Sequence, residues 1–276
     1  MKQRIISGGV LGVLALVVIL AGGGLLASVL FLLSCIAFRE VSKATGVYTE
    51  GKRINGLEAA GYAGTAVYYA LLYFGQGCLE NVQEFLALVI IGSMMVMMAV
   101  YVLTFPKYKA TQVISGIFSL IYTSVMLSFI YLVRSLPHGI YFVWMIFISS
   151  WICDTCAYFV GVTMGKHKLA PVLSPKKSIE GAIGGIAGSA AVGALFAYFV
   201  AEKQITDVSV TGIFALVSAV GAIISQIGDL AASGIKRDHG IKDYGKLIPG
   251  HGGIMDRFDS VIFTAPLTYL LLILLL

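Results

Sequence analysis

The amino-acid sequence predicts an all-α, polytopic integral membrane protein with about nine transmembrane helices and a cytoplasmic N-terminus. The chain is 58% hydrophobic and only 12% charged, with a mean hydropathy of +0.92, far from the balance of soluble globular proteins. Charge-poor runs recur along the chain, each about the 20 residues needed to cross roughly 30 Å of hydrocarbon. These observations leave no room for a sizeable soluble domain.

The predicted spans are delimited by charges, glycines and turn residues. Ala-Gly-Gly-Gly at residues 21–24 marks the first turn. In chain order the spans are 5–21, 23–38, 57–76, 84–104, 112–133, 139–163, 181–200, 211–231 and 257–276.

The distribution of basic residues gives the orientation. With a cytoplasmic N-terminus, all of the 19 Lys and Arg residues except Arg134 and Lys203 fall on the inner side. This asymmetry is typical of a correctly counted topology. The net charge of +5 is therefore attributed to a basic face against anionic lipid, and no basic and aromatic interleaving indicates nucleic-acid binding. Two polar insertions, Gly165–Gly181 and Lys236–Ser260, share this face and are expected to carry the functional site.

Four acidic residues stand out because they lie in or beside apolar segments, whereas the others are assigned to solvated loops. A carboxylate at membrane depth costs about 3 kcal/mol and normally faces a polar cavity with a partner. The alternatives are an ion pair that joins helices, or a helix cap for Asp256 and Asp259. The four residues are Asp154, Asp229, Asp256 and Asp259.

Three of these carboxylates are expected to converge. Asp256 and Asp259 are three residues apart and so share a helix face, and Asp229 can meet them from the preceding span. Clustered carboxylates repel unless a cation lies between them, and an all-oxygen ligand set favours a hard ion such as Mg²⁺. The sequence therefore predicts a magnesium site at Asp229, Asp256 and Asp259.

The segment before the last span combines glycines with basic residues. Gly252 and Gly253 follow His251, and glycines let a backbone turn sharply and approach a phosphate closely. His251 can equally cap the helix. The nearby cations are Lys236, Arg237, Lys242, Lys246 and Arg257. The segment thus predicts phosphate chemistry with magnesium.

The other insertion contains Ser-Pro-Lys-Lys-Ser at residues 174–178. Lysines at this position are usually topology anchors. Position alone therefore predicts no functional role for Lys177.

The pattern S-x-x-K-R-x-x-x-x-K-D followed by P-G-H-G-G-x-x-D-R-x-D resembles the signature of the phosphatidate cytidylyltransferases, or CDP-diacylglycerol synthases. The resemblance extends to "SQIGDL" at 225–230, "SPKKSIEG" at 174–181 and "DTCAYFVG" at 154–161. It covers the C-terminal half of the chain. It divides the sequence into variable N-terminal transmembrane helices, 1–110, and a C-terminal catalytic region, 111–276. The fixed residues are Ser233, Lys236, Arg237, Lys242, Asp243, His251, Gly252, Gly253, Asp256, Arg257 and Asp259.

The resemblance implies transfer of the cytidylyl group of CTP to phosphatidate, giving CDP-diacylglycerol and pyrophosphate, by a helical, homodimeric, magnesium-dependent membrane enzyme. The shortness of the chain and the absence of a transit peptide favour the bacterial cytoplasmic membrane, and the distribution of basic residues predicts that the site faces the cytoplasm. The resemblance also implies metal binding by Asp229 and Asp256 and leaves open a second, monovalent cation such as K⁺. It places Asp154 and Lys177 in the same polar cavity, supported by Asp243 and Asp259. Ser225 and Gln226 are expected to bind substrate, with the choice among metal, nucleotide and lipid open.

Two other functions stay open at this stage. Intramembrane Asp residues also mark ion-coupled transporters, although no inverted repeat is found. A CTP-dependent lipid kinase would share general features with the family but would release CDP instead of pyrophosphate.

Overall fold

A computed structural model describes residues 2–48, 54–205, 209–248 and 252–276. Its secondary structure is almost entirely helical, as predicted. The elements are α1 (Lys2–Ala21), α2 (Gly23–Ala44), α3 (Gly56–Phe74), α4 (Val82–Leu103), α5 (Ala110–Ser119), α6 (Met126–Ser135), α7 (Gly139–Phe147), α8 (Cys153–Met164), β1 (Lys168–Ala170), β2 (Ser174–Ser178), α9 (Ile179–Phe196), α10 (Thr211–Asp238) and α11 (Met255–Leu275).

Three π-helical segments, which the sequence did not predict, continue these helices. They are Leu120–Val125 between α5 and α6, Ile148–Ile152 between α7 and α8, and Ala197–Ala201 after α9. With these segments included, seven helices of the described chain are long and apolar enough to cross a membrane. They are Gly23–Ala44, Val82–Leu103, Ala110–Ser135, Gly139–Met164, Ile179–Ala201, Thr211–Asp238 and Met255–Leu275.

The count of nine is not confirmed, because the first and third predicted spans are helical but fall outside these seven. Only the stretch Gly12–Ala21 of α1 qualifies as a shorter apolar helix. Helix α3 has 19 residues, but Gly, Thr and Tyr make up a larger share of it than of the seven helices above. These residues make α3 less apolar than the seven. Its Thr65 and Tyr68 hydroxyls bond those of Ser124 and Ser128 at 2.9 and 3.1 Å, so α3 uses polar contacts to pack against neighbouring helices.

The chain divides into two compact units, one formed by Met1–Tyr131 with Asp238–Asp256, the other by Leu132–Arg237 with Arg257–Leu276. The division at residue 110 into variable helices and a catalytic region concerns function, not compactness, and stays a prediction. In the first unit, a cluster of buried side chains joins α3, α4 and α5. It comprises Val47, Leu57, Ala60, Met97, Tyr108 and Val113.

Small residues hold α8 against α9 in the second unit. A β-carbon added at Gly181 would lie 2.7 Å from the Ala157 carbonyl oxygen, and one at Gly185 would lie 2.8 Å from the Cys153 sulfur. Because these positions carry no side chain, the two backbones approach closely, as is typical of helix pairs in membranes. This contact fixes the walls of the cavity described below.

An antiparallel hairpin of β1 and β2 departs from the predicted all-helical fold, and it carries the Ser-Pro-Lys-Lys-Ser segment. Glu180 holds its base: the Lys166 amide donates to the carboxylate at 3.0 Å, and His167 Nδ1 lies 2.6 Å from Oε1. The Ser178 hydroxyl caps α9 by accepting the Gly181 amide at 3.1 Å.

Candidate functional site

A cavity of about 570 Å³ lies in the second unit, between α8, the hairpin, the start of α9 and α10. Both polar and apolar side chains line it. Its lining includes Asp154, Tyr158, Val162, Lys168, Leu169, Ser174, Lys176, Lys177, Ser178, Gln226 and Asp229. Four predicted site residues from three separate sequence segments, Asp154, Lys177, Gln226 and Asp229, thus share one space.

Lys177 and Asp229 form an ion pair across this cavity. Lys177 comes from β2, which ends one residue later, where the N-terminus of α9 begins. Asp229 lies near the middle of α10. Each side chain is 26% exposed, so the pair is partly shielded from solvent and its attraction is stronger than that of a surface pair.

Asp154 enters the cavity from the first turn of α8. The preceding π-helical segment, Ile148–Ile152, displaces the normal helical hydrogen-bond pattern, and the Ile148 carbonyl accepts the Ser189 hydroxyl at 3.2 Å. Segments of this type often occur at functional sites because they redirect the residues that follow. Asp154 lies within electrostatic range of Asp229, Lys177 and Arg257.

Asp259 approaches Asp229 from α11. A β-carbon at Gly228 would lie 2.8 Å from the Asp259 carbonyl oxygen and 2.8 Å from the Phe263 ring, so Gly228 permits the close contact of α10 and α11. The Asp259 carboxylate is within electrostatic range of Asp229, Lys236 and Asp154. The structure therefore gathers three of the four highlighted carboxylates in the second unit.

Gln226 and Ser225 are both buried in α10. The Gln226 amide donates to the Ala182 carbonyl at 3.2 Å and to the Cys153 sulfur at 3.5 Å, and thus ties α10 to α8 and α9. In the part of the chain that the structure describes, the Ser225 hydroxyl has no hydrogen-bond partner.

The fourth carboxylate, Asp256, belongs to the first unit. It is 8% exposed and accepts two backbone amides, from Tyr244 at 2.8 Å and from Gly253 at 2.9 Å. It thus stabilises the turn before α11, which fits the capping alternative for this residue. Gly252 has φ 86°, a conformation that favours glycine, and the Ile248 amide donates to its carbonyl at 2.9 Å.

The remaining predicted residues divide between the units by chain position. Arg237 and Arg257 are exposed residues of the second unit, and Lys242 and Asp243 are exposed residues of the first. His251 lies outside the described residues.

Across 2–48, 54–205, 209–248 and 252–276, no group of three or more His, Cys, Asp or Glu side chains is arranged to hold a metal ion, so the magnesium site stays a prediction.

Lys168 and Glu40 are among the charged residues of these sites that were not predicted. Lys168 lines the cavity, and its signal was its place in the polar insertion. Glu40, near the end of α2, accepts the amides of Ile254 and Met255 at 3.1 and 2.8 Å. The sequence shows Glu40 as a single carboxylate at the end of an apolar run. It had been assigned to a solvated loop.

Comparison with known proteins places these sites in context. Residues 2–275 match the cytidylyltransferase family. A protein of Staphylococcus haemolyticus named phosphatidate cytidylyltransferase is 32% identical over 276 residues, 99% of each chain. A protein of Staphylococcus epidermidis with the same name is 34% identical over 274 residues, again 99% of each chain. One from Staphylococcus aureus is 44% identical over 155 residues, 56% of this chain and 57% of its own.

Proposed function

Because this chain belongs to the cytidylyltransferase family and is therefore an enzyme, we propose that it transfers the cytidylyl group of CTP to phosphatidate, giving CDP-diacylglycerol and pyrophosphate. The observation that carries the proposal is the cavity of the second unit. There the Lys177 and Asp229 charges share a space with the apolar walls of Tyr158, Val162 and Leu169. A lipid phosphate needs such a combination of ionic and apolar surfaces.

The proposed reaction is an exchange of phosphoanhydride bonds. A phosphate oxygen of phosphatidate attacks the α-phosphorus of CTP and forms the new P–O–P linkage. The bond from the α-phosphorus to the oxygen that bridges to the β-phosphorus breaks, and that oxygen leaves with pyrophosphate. Because the nucleophile is already an anion, no strong general base is required, and positioning and electrostatic stabilisation supply most of the rate.

The basic residues of the site supply that stabilisation. Lys177 is aligned by Asp229 and is proposed to contact the reacting phosphates. Lys168 and Lys176 line the same cavity and are proposed to bind the outer phosphates of CTP. Lys236, Arg237, Lys242 and Arg257 are proposed to attract the nucleotide from the cytoplasmic side.

Magnesium belongs to the proposal through the chemistry of the donors. Carboxylate oxygens without His or Cys partners are suited to a hard divalent cation, and Asp229, Asp256 and Asp259 would hold it, with K⁺ as an optional second ion. When bound, Mg²⁺ would neutralise charge on the phosphates. Asp154 and Asp243 are proposed to support this site.

The cellular setting follows from the substrates. Seven long apolar helices fit a multi-pass membrane protein, and a lipid substrate with a soluble co-substrate requires catalysis at the interface. We place the enzyme in the bacterial cytoplasmic membrane, with its site facing the cytoplasm, as a homodimer.

The decisive experiment uses purified protein in detergent with phosphatidate, Mg²⁺ and CTP labelled either at the α- or at the γ-phosphate. We expect α-label in the lipid and γ-label in pyrophosphate. Entry of γ-label alone into lipid would replace the proposal with a lipid kinase. Entry of neither label, under several cation conditions, would reopen the transporter hypothesis.

A further inference from the structure

Glu40 lies near the C-terminal end of α2 and is only 8% exposed. Its two carboxylate oxygens have different partners. Oε1 accepts the Ile254 amide at 3.1 Å, and Oε2 accepts the Met255 amide at 2.8 Å. Met255 is the first residue of α11, so Glu40 accepts amides at the helix start that have no backbone acceptor within the helix.

The loop before α11 is shaped around this carboxylate. A β-carbon at Gly253 or at Gly245 would collide with the Glu40 carboxylate. Phosphate binding was the reason predicted for Gly253, and the structure gives it a second: the absence of a side chain makes room for Glu40. All of these residues belong to the first unit.

Glu40 and Asp256 hold successive peptide groups of the same turn. Asp256 accepts the Gly253 amide at 2.9 Å, and Glu40 accepts the next two. Bonds from amides to carboxylates are stronger than neutral hydrogen bonds, and a negative charge is favoured at a helix N-terminus. The two carboxylates thus accept three consecutive amides, those of residues 253 to 255.

From this geometry we propose that Glu40 is a positioning residue for Asp256: it fixes the start of α11 so that the Asp256 carboxylate is held ready for its ligand. The inference rests on the proposed function, in which Asp256 binds Mg²⁺. Residues that orient metal ligands typically change metal affinity or activity by 10–100-fold when altered. Glu40 extends the site into the N-terminal helices, for which no functional role was predicted.

The test compares Glu40→Gln and Glu40→Asp with a matched control, Glu58→Gln. Gln keeps the shape of Glu but presents an NH₂ group to one of the two amides, whereas Asp keeps the charge on a shorter side chain. Glu58 is also buried, at 2% exposure, in the same unit. It accepts the Asn55 amide at 3.1 Å at the N-terminus of α3, but is bonded to no part of the loop before α11 in the described structure.

The first measurement is cytidylyl transfer against Mg²⁺ concentration. We expect Glu40→Gln to raise the half-maximal Mg²⁺ concentration at least tenfold, with activity partly restored at high Mg²⁺, and Glu40→Asp to raise it less. We expect Glu58→Gln to keep the wild-type Mg²⁺ dependence, whatever its thermal stability. A loss of folded protein alone would lower activity equally at every Mg²⁺ concentration. An unchanged Mg²⁺ dependence in Glu40→Gln, or an equal shift in Glu58→Gln, would overturn the proposal.

The second measurement is hydrogen exchange at the Ile254 and Met255 amides, which requires no activity. We expect at least tenfold faster exchange in Glu40→Gln and wild-type exchange in Glu58→Gln. Unchanged exchange in Glu40→Gln would refute the positioning role. If the wild-type protein transfers no label, the proposed function fails and the Mg²⁺ part of this inference falls with it, while exchange still decides whether Glu40 holds the start of α11.

Discussion

The Lys177 ammonium is paired with the Asp229 carboxylate in the cavity of the second unit. The two residues lie 52 positions apart in the chain and come from a strand and a helix. A partly shielded ion pair of this kind holds each charge where a substrate can meet it, and removal of one partner leaves the other uncompensated.

Lys177→Met should lower turnover about 100-fold, the usual effect of removing one group that stabilises transition-state charge. Expression should be retained. Lys203→Met is the control, because Lys203 is an exposed residue of the same unit that lies outside the cavity lining. The measurement is turnover at fixed Mg²⁺ with labelled CTP. Wild-type turnover in Lys177→Met would show that Lys177 has no catalytic role and serves only to orient the chain in the membrane.

Asp256→Asn and Asp256→Glu separate charge from shape. The Tyr244 and Gly253 amides both donate to Asp256 Oδ2, so the single oxygen of Asn can accept both, but Asn lacks the charge that a divalent cation requires. We therefore expect at least a 100-fold loss of activity in Asn at ordinary Mg²⁺, and a smaller loss in Glu. Full activity in Asp256→Asn would contradict the metal-ligand role and leave Asp256 as a cap of α11.

Gly245→Ala should destabilise the first unit by about 1–3 kcal/mol, as overpacking usually does, because the new β-carbon collides with Glu40. A double-mutant cycle with Glu40→Ala provides the check by thermal unfolding in detergent. The double variant should be little less stable than Glu40→Ala alone, since the collision has been removed. Strictly additive losses would show that Gly245 is needed for another reason.

Two Gly→Ala substitutions should change stability in opposite directions. At Gly185 the added methyl meets the Cys153 sulfur and carbonyl oxygen, whereas at Gly92 in α4 nothing lies within 4 Å. Ala is favoured over Gly in helices by roughly 0.5–1 kcal/mol, so Gly92→Ala should raise the unfolding temperature slightly. Gly185→Ala should lower it, by the overpacking cost of about 1–3 kcal/mol. A rise in both variants would mean that α8 and α9 pack less closely than described.

The parts of the fold that could be predicted are those with a strong local signal. Apolar length predicts the seven helices, and an isolated carboxylate in an apolar run predicts a polar cavity. Asp154 and Asp229 both line a cavity, while their roles stay a prediction. The hairpin could not be predicted, because Ser-Pro-Lys-Lys-Ser has no alternation of apolar residues. The π-helical segments likewise have no simple sequence signature.

Glu40 was missed for a different physical reason. It follows the exposed Arg39 at the end of an apolar run, where a charged residue normally meets water, and local sequence says nothing about partners more than 200 positions away. Its burial depends on a tertiary contact with the turn before α11. The same contact explains why positions 245 and 253 are glycines, because a β-carbon at either would collide with the Glu40 carboxylate.

The distance of Glu40 from its donors along the chain, 214 and 215 residues, has a consequence for biosynthesis. The second helix leaves the ribosome long before the last one, so during nearly all of translation the Glu40 carboxylate must remain hydrated at the membrane surface. It can be withdrawn from water only when the final helix has been made. A chain that stops before residue 254 therefore leaves this carboxylate without the two amides that it accepts in the finished protein.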